Sequence, residues 1–207
     1  MPDAFSAQHV YFVSSALEPG DLFLLEMDGV ERISAPYEYD LVVQTTFNGP
    51  LDLAQVDALL AQGAFLGFGP EYQHKVFGAV RSVEMLSMSP GQPTTYRLRL
   101  VPNLYDLRFT AGSWVYLDKT VPEIVKEVLK EAGLTEGTDF DFRVSGAYPK
   151  REYVLQYEET DLDFISRLLE HEGISFFFEH GDEREKVVFV DRNGAFAQLE
   201  GYASITY

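Results

Sequence analysis

Residues 151–180 read REYVLQYEETDLDFISRLLEHEGISFFFEH, and the residue pattern changes twice along this stretch. Residues 153–157 are rich in side chains that favour extended backbone, which predicts a strand. Thr160 is followed three residues later by Asp163, a spacing typical of a helix N-cap. A helix that starts there is expected to end at Gly173, after which β-rich composition returns. The stretch therefore predicts a strand, a helix and a second strand in succession.

The predicted helix has one apolar face. Its apolar side chains recur at helical spacing, at Leu162, Ile165, Leu168 and Leu169. This spacing is typical of a helix packed on a core along one stripe. Arg167 follows Asp163 by four residues, so we expect this pair to bridge on the exposed side, contributing about 0.3–0.5 kcal/mol.

The second strand carries three consecutive phenylalanines, Phe176, Phe177 and Phe178. Successive side chains of a strand point to opposite faces, so both faces of this strand are apolar. Such a strand is either central in a sheet or covered by a partner. We favour a core role, because burial of each ring contributes roughly 1.5–3 kcal/mol, and keep partner binding as the alternative.

A second amphipathic helix is predicted upstream. Thr120 and Glu123 form a capping-box pattern with a proline in the first turn, which is a strong helix start. Apolar residues follow at helical spacing as far as Leu129, and Gly133 is expected to stop the helix.

The first hundred residues read mostly as strands. A short helix is predicted over residues 52–62, ending at Gly63. Residues 76–88 and 94–101 predict a long antiparallel hairpin with Arg97 and Arg99 on its wetted face. The β-rich runs are residues 10–13, 22–27, 39–47, 76–88 and 94–101. We therefore expect an α+β, mainly β fold: an antiparallel β-barrel at residues 1–110, then a smaller α+β subdomain with two amphipathic helices at residues 111–207.

Composition excludes several classes of function. The chain has 207 residues, 16 basic against 33 acidic, for a net charge of −17. So negative a chain repels phosphate backbones and anionic lipids, which disfavours nucleic-acid binding and membrane insertion. The absence of cysteine excludes disulfides and thiolate metal sites. No apolar run is long enough for a transmembrane helix, and the first residues lack the pattern of a secretory signal, so we expect folding in the cytoplasm.

Acidic side chains are densest around the second helix. They are Glu158, Glu159, Asp161 and Asp163 at its start, with Glu170, His171 and Glu172 at its end. Paired carboxylates can hydrolyse glycosidic bonds by acid–base chemistry. Acids in a first helical turn are, however, also what the helix dipole favours. We favour the structural interpretation and keep a carbohydrate or peptidoglycan hydrolase, using carboxylates near residues 158–172, as a remote alternative.

Other catalytic patterns are missing from the sequence. The four histidines, His9, His74, His171 and His180, form no HExxH motif, although His171 and His180 could meet in space. Neither Ser113 nor Ser145 lies in a GxSxG motif. Residues 63–69 are glycine-rich without the order of a phosphate loop, and are expected to let a strand bend or approach another backbone closely. We assign no catalytic, cofactor-binding or metal-binding residue.

Residues 151–180 closely resemble the pattern R-E-Y-x-x-Q-Y-x-E-(S/T)-D-x-x-F-x-x-R-L-x-E-x-E-G-I-x-Y-x-F-x-H of the VgrG proteins of type VI secretion. Residues 118–125 resemble the family's helix start, and residues 77–80 with 96–98 resemble its hairpin. Pro36 and Tyr37 before a β-rich run resemble a segment near the family's beginning. The resemblance is strong after residue 110 and looser before it.

The resemblance implies a structural part of a contractile injection system. It implies a spike hub that is a homotrimer of phage hub-type β-barrels, a threefold adaptor between an Hcp-like tube hexamer and a membrane-puncturing needle. Baseplate proteins and downstream needle and effector modules are further implied partners, with assembly in the cytoplasm before ejection. A prophage baseplate hub or late-control protein is the alternative. The 207 residues leave no room for a second barrel or a needle, so we expect either a piece of a longer chain or a short homologue.

Overall fold

The computed structural model describes residues 10–69, 72 and 74–196. Their contacts divide the chain into two compact units. The first unit comprises the described residues up to Tyr105 together with Glu179–Glu185, and the second comprises Asp106–Phe178 with the described residues from Lys186 onward. The division after Tyr105 falls five residues before the boundary predicted at residue 110.

The first unit is built on one six-stranded antiparallel sheet. Its strands are β1 (Val10–Ser14), β2 (Leu22–Arg32), β3 (Ala35–Thr45), β4 (Gly63–Phe68), β5 (His74–Ser87) and β6 (Thr95–Val101). They lie in the order β1-β4-β5-β6-β3-β2. The sheet is curled, so that the two edge strands β1 and β2 come into contact. The prediction of a mainly β, antiparallel unit is confirmed.

Alternating side chains divide the sheet into a core face and a wetted face. Leu41 of β3 lies opposite Leu98 of β6, and both are completely buried. On the other face Asp40 lies opposite Arg99, and its carboxylate accepts a hydrogen bond from the guanidinium at 3.0 Å. The predicted hairpin of β5 and β6 and its wetted arginine face are therefore confirmed.

The short predicted helix is α1 (Leu53–Ala61). Asp52 caps it, since its carboxylate accepts from the Gln55 N–H while the Gln55 side chain accepts from the Asp52 N–H. Leu59 is its buried anchor, and the helix lies against β5.

The glycine-rich residues 63–69 form β4 and the turn after it. A Cβ atom at Gly67 would lie only 2.4 Å from the Tyr72 ring. The close approach at this glycine is to an aromatic side chain, whereas the segment was expected to let a strand bend or approach another backbone. Backbones do meet closely at Gly78 of β5, where a Cβ atom would lie 2.5 Å from the Val101 carbonyl oxygen.

The second unit combines two helices with two small sheets. Its elements are β7 (Ala111–Lys119), α2 (Val121–Glu131), β8 (Phe140–Arg143), β9 (Arg151–Thr160), α3 (Asp161–Glu172) and the larger parts of β10 (Ser175–His180) and β11 (Glu185–Val190). β7 and β9 form an antiparallel ribbon, and the other three strands lie in the order β10-β11-β8, with β8 and β11 parallel. Short 3-10 helices cover Asn103–Arg108 and Asn193–Ala195.

Both amphipathic helices begin and end where the sequence predicts. Thr120 and Glu123 form the capping box of α2. Thr160 caps α3, and Gly173 ends it in the left-handed conformation with φ of +69°. The predicted stripe of α3 is buried, and so is Phe164, whose ring stacks on Tyr116 at 5.4 Å.

The three phenylalanines lie on β10, which among the described residues is at the edge of its sheet and not in its centre. Phe176 is buried against Phe189, which confirms its core role. Phe177 is only half-buried and packs against Phe196 at 5.1 Å between ring centres. A neighbouring part of the same chain thus covers the second face.

Among the described residues, no helix has both the length and the apolar content needed to cross a bilayer.

Candidate functional site

The acids of residues 158–172 begin at the turn from β9 into α3. Glu158 adopts a left-handed conformation, with φ of +48°, which is unusual for a side chain other than glycine. Its N–H donates to the Ser113 hydroxyl at 3.2 Å. The pairing register of β7 and β9 shifts at the same place, between Gly112 and Trp114. The ribbon is therefore bulged where it enters the helix.

Gln156 holds this turn from inside. Its side chain is completely buried. The side-chain nitrogen donates to the Asp161 carboxylate at 2.7 Å and to the Glu159 carbonyl oxygen at 3.2 Å. A buried amide needs such partners, and a hydrogen bond to a charged group is stronger than one between neutral groups. Gln156 and Asp161 together fix the bulge and the first turn of α3.

Glu159 is engaged by an arginine of the following helix. Its two carboxylate oxygens accept from Arg167 Nη2 at 2.6 Å and Nε at 3.2 Å, a two-pronged ion pair. The carboxylate raises the pKa of the Arg167 guanidinium above its usual value.

The predicted bridge between Asp163 and Arg167 is wrong. The Asp163 carboxylate instead accepts from the Thr160 hydroxyl at 2.7 Å, and the Asp163 N–H donates to the same hydroxyl at 3.1 Å. Asp163 binds Thr160 because both residues lie in the first turn of the helix. Arg167 binds Glu159 of the preceding strand instead.

The acids at the end of α3 also have structural partners. Arg151 at the start of β9 binds the Glu172 carboxylate, and this pair is largely buried. The same guanidinium lies 3.0 Å from His171 Nδ1. These contacts tie the beginning of the strand to the end of the helix. Glu158 and Glu170 remain exposed at opposite ends of α3.

The acids of residues 158–172 do not line the cavity of about 560 Å³ found in the first unit among the described residues. That cavity is lined instead by the start of β4, by the middle of β5 including Arg81, by Asn103, and by residues 183–185. Glu185 lies in it, and its buried carboxylate accepts from the Asn103 N–H at 2.8 Å. The predicted acids therefore lie outside this cavity.

The histidines are dispersed. His9 lies outside the described residues, and His74 and His171 are exposed. His180 is largely buried, and its Nδ1 accepts from the Phe77 N–H at 3.1 Å. Burial lowers the pKa of this imidazole. His171 belongs to the second unit and His180 to the first.

Neither serine has the setting of a nucleophile. The Ser113 hydroxyl accepts from the Glu158 N–H. Ser145 and Gly146 donate their N–H groups to the Asp191 carboxylate, both at 2.6 Å, which lowers the pKa of that acid. Within residues 10–69, 72 and 74–196, no three acidic or histidine side chains are grouped so that they could hold a metal ion.

The ribbon carries an apolar surface that the sequence did not reveal. Leu117 lies opposite Tyr153, and Val115 lies opposite Leu155, on the face turned away from the buried Tyr116 and Val154. Tyr157 continues the row. The exposed fractions of the five residues are 50% for Val115, 57% for Leu117, 58% for Tyr153, 39% for Leu155 and 65% for Tyr157. In the sequence, the alternation of apolar side chains at residues 153, 155 and 157 indicates an apolar face on β9. Only the pairing of β7 with β9 shows that both strands contribute to it.

Known proteins match most of the chain. Residues 30–207 match the family described as the phage tail baseplate hub (GPD). The type VI secretion system spike protein VgrG4b of Pseudomonas aeruginosa is 38% identical over 182 residues, which are 86% of this chain and 21% of that protein. The spike protein VgrG1b of the same organism is 33% identical over 196 residues, 94% of this chain and 26% of that protein. The chain thus spans about a quarter of the curated relatives it matches.

Solved structures share the fold. The c3393 protein of Escherichia coli is described as a component of the type VI secretion system with structural similarity to the T4 bacteriophage tail proteins gp27 and gp5. It superimposes with a TM-score of 0.81 at 28% identity, covering 91% of this chain and 51% of that one. The 43 kDa tail protein of prophage MuSo2 from Shewanella oneidensis gives a TM-score of 0.59 at 14% identity, covering 88% of this chain and 52% of that one, which shows the fold alone.

Proposed function

The chain belongs to the phage tail baseplate hub family, among the VgrG spike proteins of type VI secretion, and from this we propose that it acts as a threefold adaptor between tube and needle. The observation that carries the proposal is the match over residues 30–207, which takes in both units. The relatives are spike proteins by name. The work is mechanical, because force generated elsewhere drives the hub forward.

The curled sheet of the first unit is the part that we assign to a hub-type barrel. Contact between the edge strands β1 and β2 supports closure, since a barrel forms when the two edges of a sheet meet. We place a first domain at residues 1–110 and an α+β subdomain at residues 111–207. In the assembled hub, three copies would present barrels to an Hcp-like tube hexamer on one side, with baseplate proteins, the needle and effector modules as the other partners.

The chemistry of the second unit supports a non-enzymatic role. Asp161 is held by Gln156, Asp163 by Thr160, Glu159 by Arg167, and Glu172 by Arg151. Each of these carboxylates is thereby held in position by a partner within the fold. The acids thus serve the fold of the strand–helix element.

The proposal is tested by assembly and by tube binding. Purified protein is examined by sedimentation velocity and then incubated with assembled Hcp-like tubes, which are collected by centrifugation. We expect a species of three copies that sediments together with the tubes. Protein that stays monomeric, alone and within its full-length parent, and that remains in the supernatant would refute the adaptor function.

The remote hydrolase alternative is tested with acids that the fold does not use. Glu158→Gln and Glu170→Gln each remove an exposed carboxylate near α3 and leave the ion pairs of Glu159 and Glu172 intact. We expect no release of soluble sugar from peptidoglycan by the parent protein or by either variant. Hydrolysis by the parent that either substitution abolishes would establish an enzyme.

A prophage baseplate hub would differ from a type VI secretion hub only in the genes that surround it. A gene neighbourhood with sheath and Hcp genes supports type VI secretion, and one with capsid genes supports a phage tail. We place folding and assembly in the cytoplasm, followed by ejection together with the spike. The strongly acidic character of the chain argues against nucleic acid as a partner.

A further inference from the structure

The outer half of β2 is an open strand edge. β2 is the last strand of its sheet and pairs only with β3 among the described residues. β1 contacts β2 and closes the curl, but it has five residues against eleven. Every residue from position 25 to position 32 is exposed. We call residues 25–32 the open edge, because their backbone groups on the side away from β3 are accessible to a further strand.

The open edge carries few of the features that protect exposed strands. It contains neither lysine nor proline, the residues that often prevent an edge from pairing with other chains. Leu25 and Val30 are 46% and 47% exposed. The pairing with β3 is bulged near both ends and regular over residues 26–30. Within this stretch the ring of Tyr39 lies directly over Gly29 and supports the extended backbone. A regular, accessible strand edge is what strand addition requires.

Two acids of the open edge have no counter-charge. Glu26 and Asp28 are two residues apart and therefore lie on one face of the strand. Asp28 lies directly opposite Asp40 of β3, and like charges in this arrangement destabilise a sheet. Arg99 binds Asp40, whereas the side chains of Glu26 and Asp28 make no hydrogen bond or ion pair within the part of the chain that the structure describes. A cation supplied from outside would relieve this repulsion.

Charge selects the occupant of the open edge. Pairing with the same edge of a second copy would bring these carboxylates close to those of the other chain, and each copy has a net charge of −17. Residues 1–9 and 197–207 contain no lysine or arginine, so the ends of the chain cannot supply the missing cation. Nucleic acid is repelled by the same negative charge. A strand of another protein that carries lysine or arginine supplies both backbone partners for the edge and cations for the acids.

We propose that the open edge of β2 binds an extended basic segment of another protein, which adds to the sheet as a further strand. Backbone hydrogen bonds along residues 26–30 hold the segment, and lysine or arginine at alternate positions pairs with Glu26 and Asp28. Because these acids are exposed, binding weakens as added salt screens the charges. The inference goes beyond the proposed adaptor function and does not depend on it, so either can fail without the other.

The probe is a fluorescently labelled peptide of about seven residues in which lysine alternates with valine. Its binding to the purified protein is measured by fluorescence anisotropy at low and at high salt. Two matched peptides are the controls. One has glutamate in place of lysine, and the other is methylated at every backbone nitrogen, which keeps the charges and removes the donors. We expect the lysine peptide to bind about tenfold or more tightly than either control.

Paired substitutions separate the edge from the overall charge of the protein. Glu26→Gln together with Asp28→Asn should weaken binding of the lysine peptide about fivefold or more. Glu152→Gln together with Glu170→Gln removes the same charge from exposed positions of the second unit and should leave binding nearly unchanged. Glu26→Lys together with Asp28→Lys should reverse the preference, so that the glutamate peptide binds better than the lysine peptide. All four positions are exposed, and unfolding curves confirm that the variants fold.

Hydrogen exchange locates the contact. Amides of residues 25–32 that point away from β3 should exchange about tenfold more slowly with the lysine peptide bound, since a paired strand covers them. Protection here, together with the charge effects, supports the inference. Absence of binding, protection of another segment, or binding that the Glu26 and Asp28 variants leave unchanged overturns it. Protection of residues 25–32 by raised protein concentration alone also overturns it, because it assigns the edge to a second copy. None of these results decides the adaptor function, which is tested with tubes.

Discussion

The side-chain amide of Gln156, the sixth residue of β9, donates a hydrogen bond of 2.7 Å to the carboxylate of Asp161, the first residue of α3. The bond spans a bulge at Glu158, whose backbone is left-handed. A strand that runs into a helix must redirect its backbone, and this buried contact fixes the direction. The polar residues of the stretch 151–180 thus have a structural task at the junction between the ribbon and α3.

Replacing Gln156 should weaken this junction. Gln156→Leu leaves the Asp161 carboxylate without its buried donor, and we expect a loss of about 1.5–3 kcal/mol in the free energy of unfolding. Glu152→Gln, on the exposed edge of the same strand, is the control and should change stability by less than about 0.5 kcal/mol. Urea denaturation measures both. Equal stability of the two variants would show that the hydrogen bond does not hold the turn.

Arg167 should couple to Glu159 and not to Asp163. A double-mutant cycle with Arg167→Gln and Glu159→Gln is expected to give a coupling energy of about 0.2–1 kcal/mol, because the pair is partly exposed. The same cycle with Asp163→Asn should give a value near zero, since Asp163 binds Thr160. The coupling to Glu159 should decrease at high salt. A larger coupling to Asp163 would contradict the structure.

Gly78 should tolerate no side chain. Gly78→Ala places a methyl group 2.5 Å from the Val101 carbonyl oxygen, so β5 or β6 must shift, at a cost of roughly 1–3 kcal/mol. Gly63→Ala, on the neighbouring strand β4, has no atom nearer than 4.0 Å and should be nearly neutral. Thermal unfolding of the two variants makes the comparison, and an unchanged melting temperature for Gly78→Ala would refute the close approach.

His180 should make stability depend on pH. Burial lowers the pKa of the folded imidazole, so the unfolded chain binds the proton more readily than the folded one. Above the imidazole pKa of the unfolded chain, about 6.5, His180 is neutral in both states and the folded protein has its full stability. Stability is lost as the pH falls from that value through the lower pKa of the folded state. Protonation of Nδ1 would also end its acceptance from the Phe77 N–H.

The matched variant for this prediction is His180→Gln, whose amide oxygen can accept the same hydrogen bond without titrating. We expect the free energy of unfolding of the parent to fall more steeply between pH 8 and pH 5 than that of the variant. Parallel curves for the two proteins would mean that the imidazole has the same pKa in the folded and unfolded states.

Local signals in the sequence were sufficient for the helices. The caps at Thr120 and Thr160 depend on side chains that bond to backbone groups three residues away, and Gly173 ends α3 because it adopts a positive φ without strain. The family resemblance of residues 151–180 also came from sequence, because its polar and apolar order is long enough to be specific. That part of the site could be predicted.

The partners of the charged residues could not be predicted in the same way. Asp163 and Arg167 have the spacing of an ion pair within one helix, yet Arg167 binds Glu159 of the preceding strand. Spacing describes only neighbours on the same element, whereas the bulge at Glu158 brings a competing carboxylate within reach. The position of β10 at the edge of its sheet depends likewise on the order of the strands. Three consecutive phenylalanines do not predict that order.

The sequence by itself determined the helices, with the starts of α2 and α3, several of the strands and the family to which the chain belongs, because each of these depends on residues close together in the chain; β7 and β8 were not predicted. Only the tertiary structure decided that β7 and β9, which are more than thirty residues apart, pair in the register that sets Leu117 beside Tyr153. Pairing of distant strands is set by packing and backbone hydrogen bonds between them, so the apolar face that they share exists only in the folded chain.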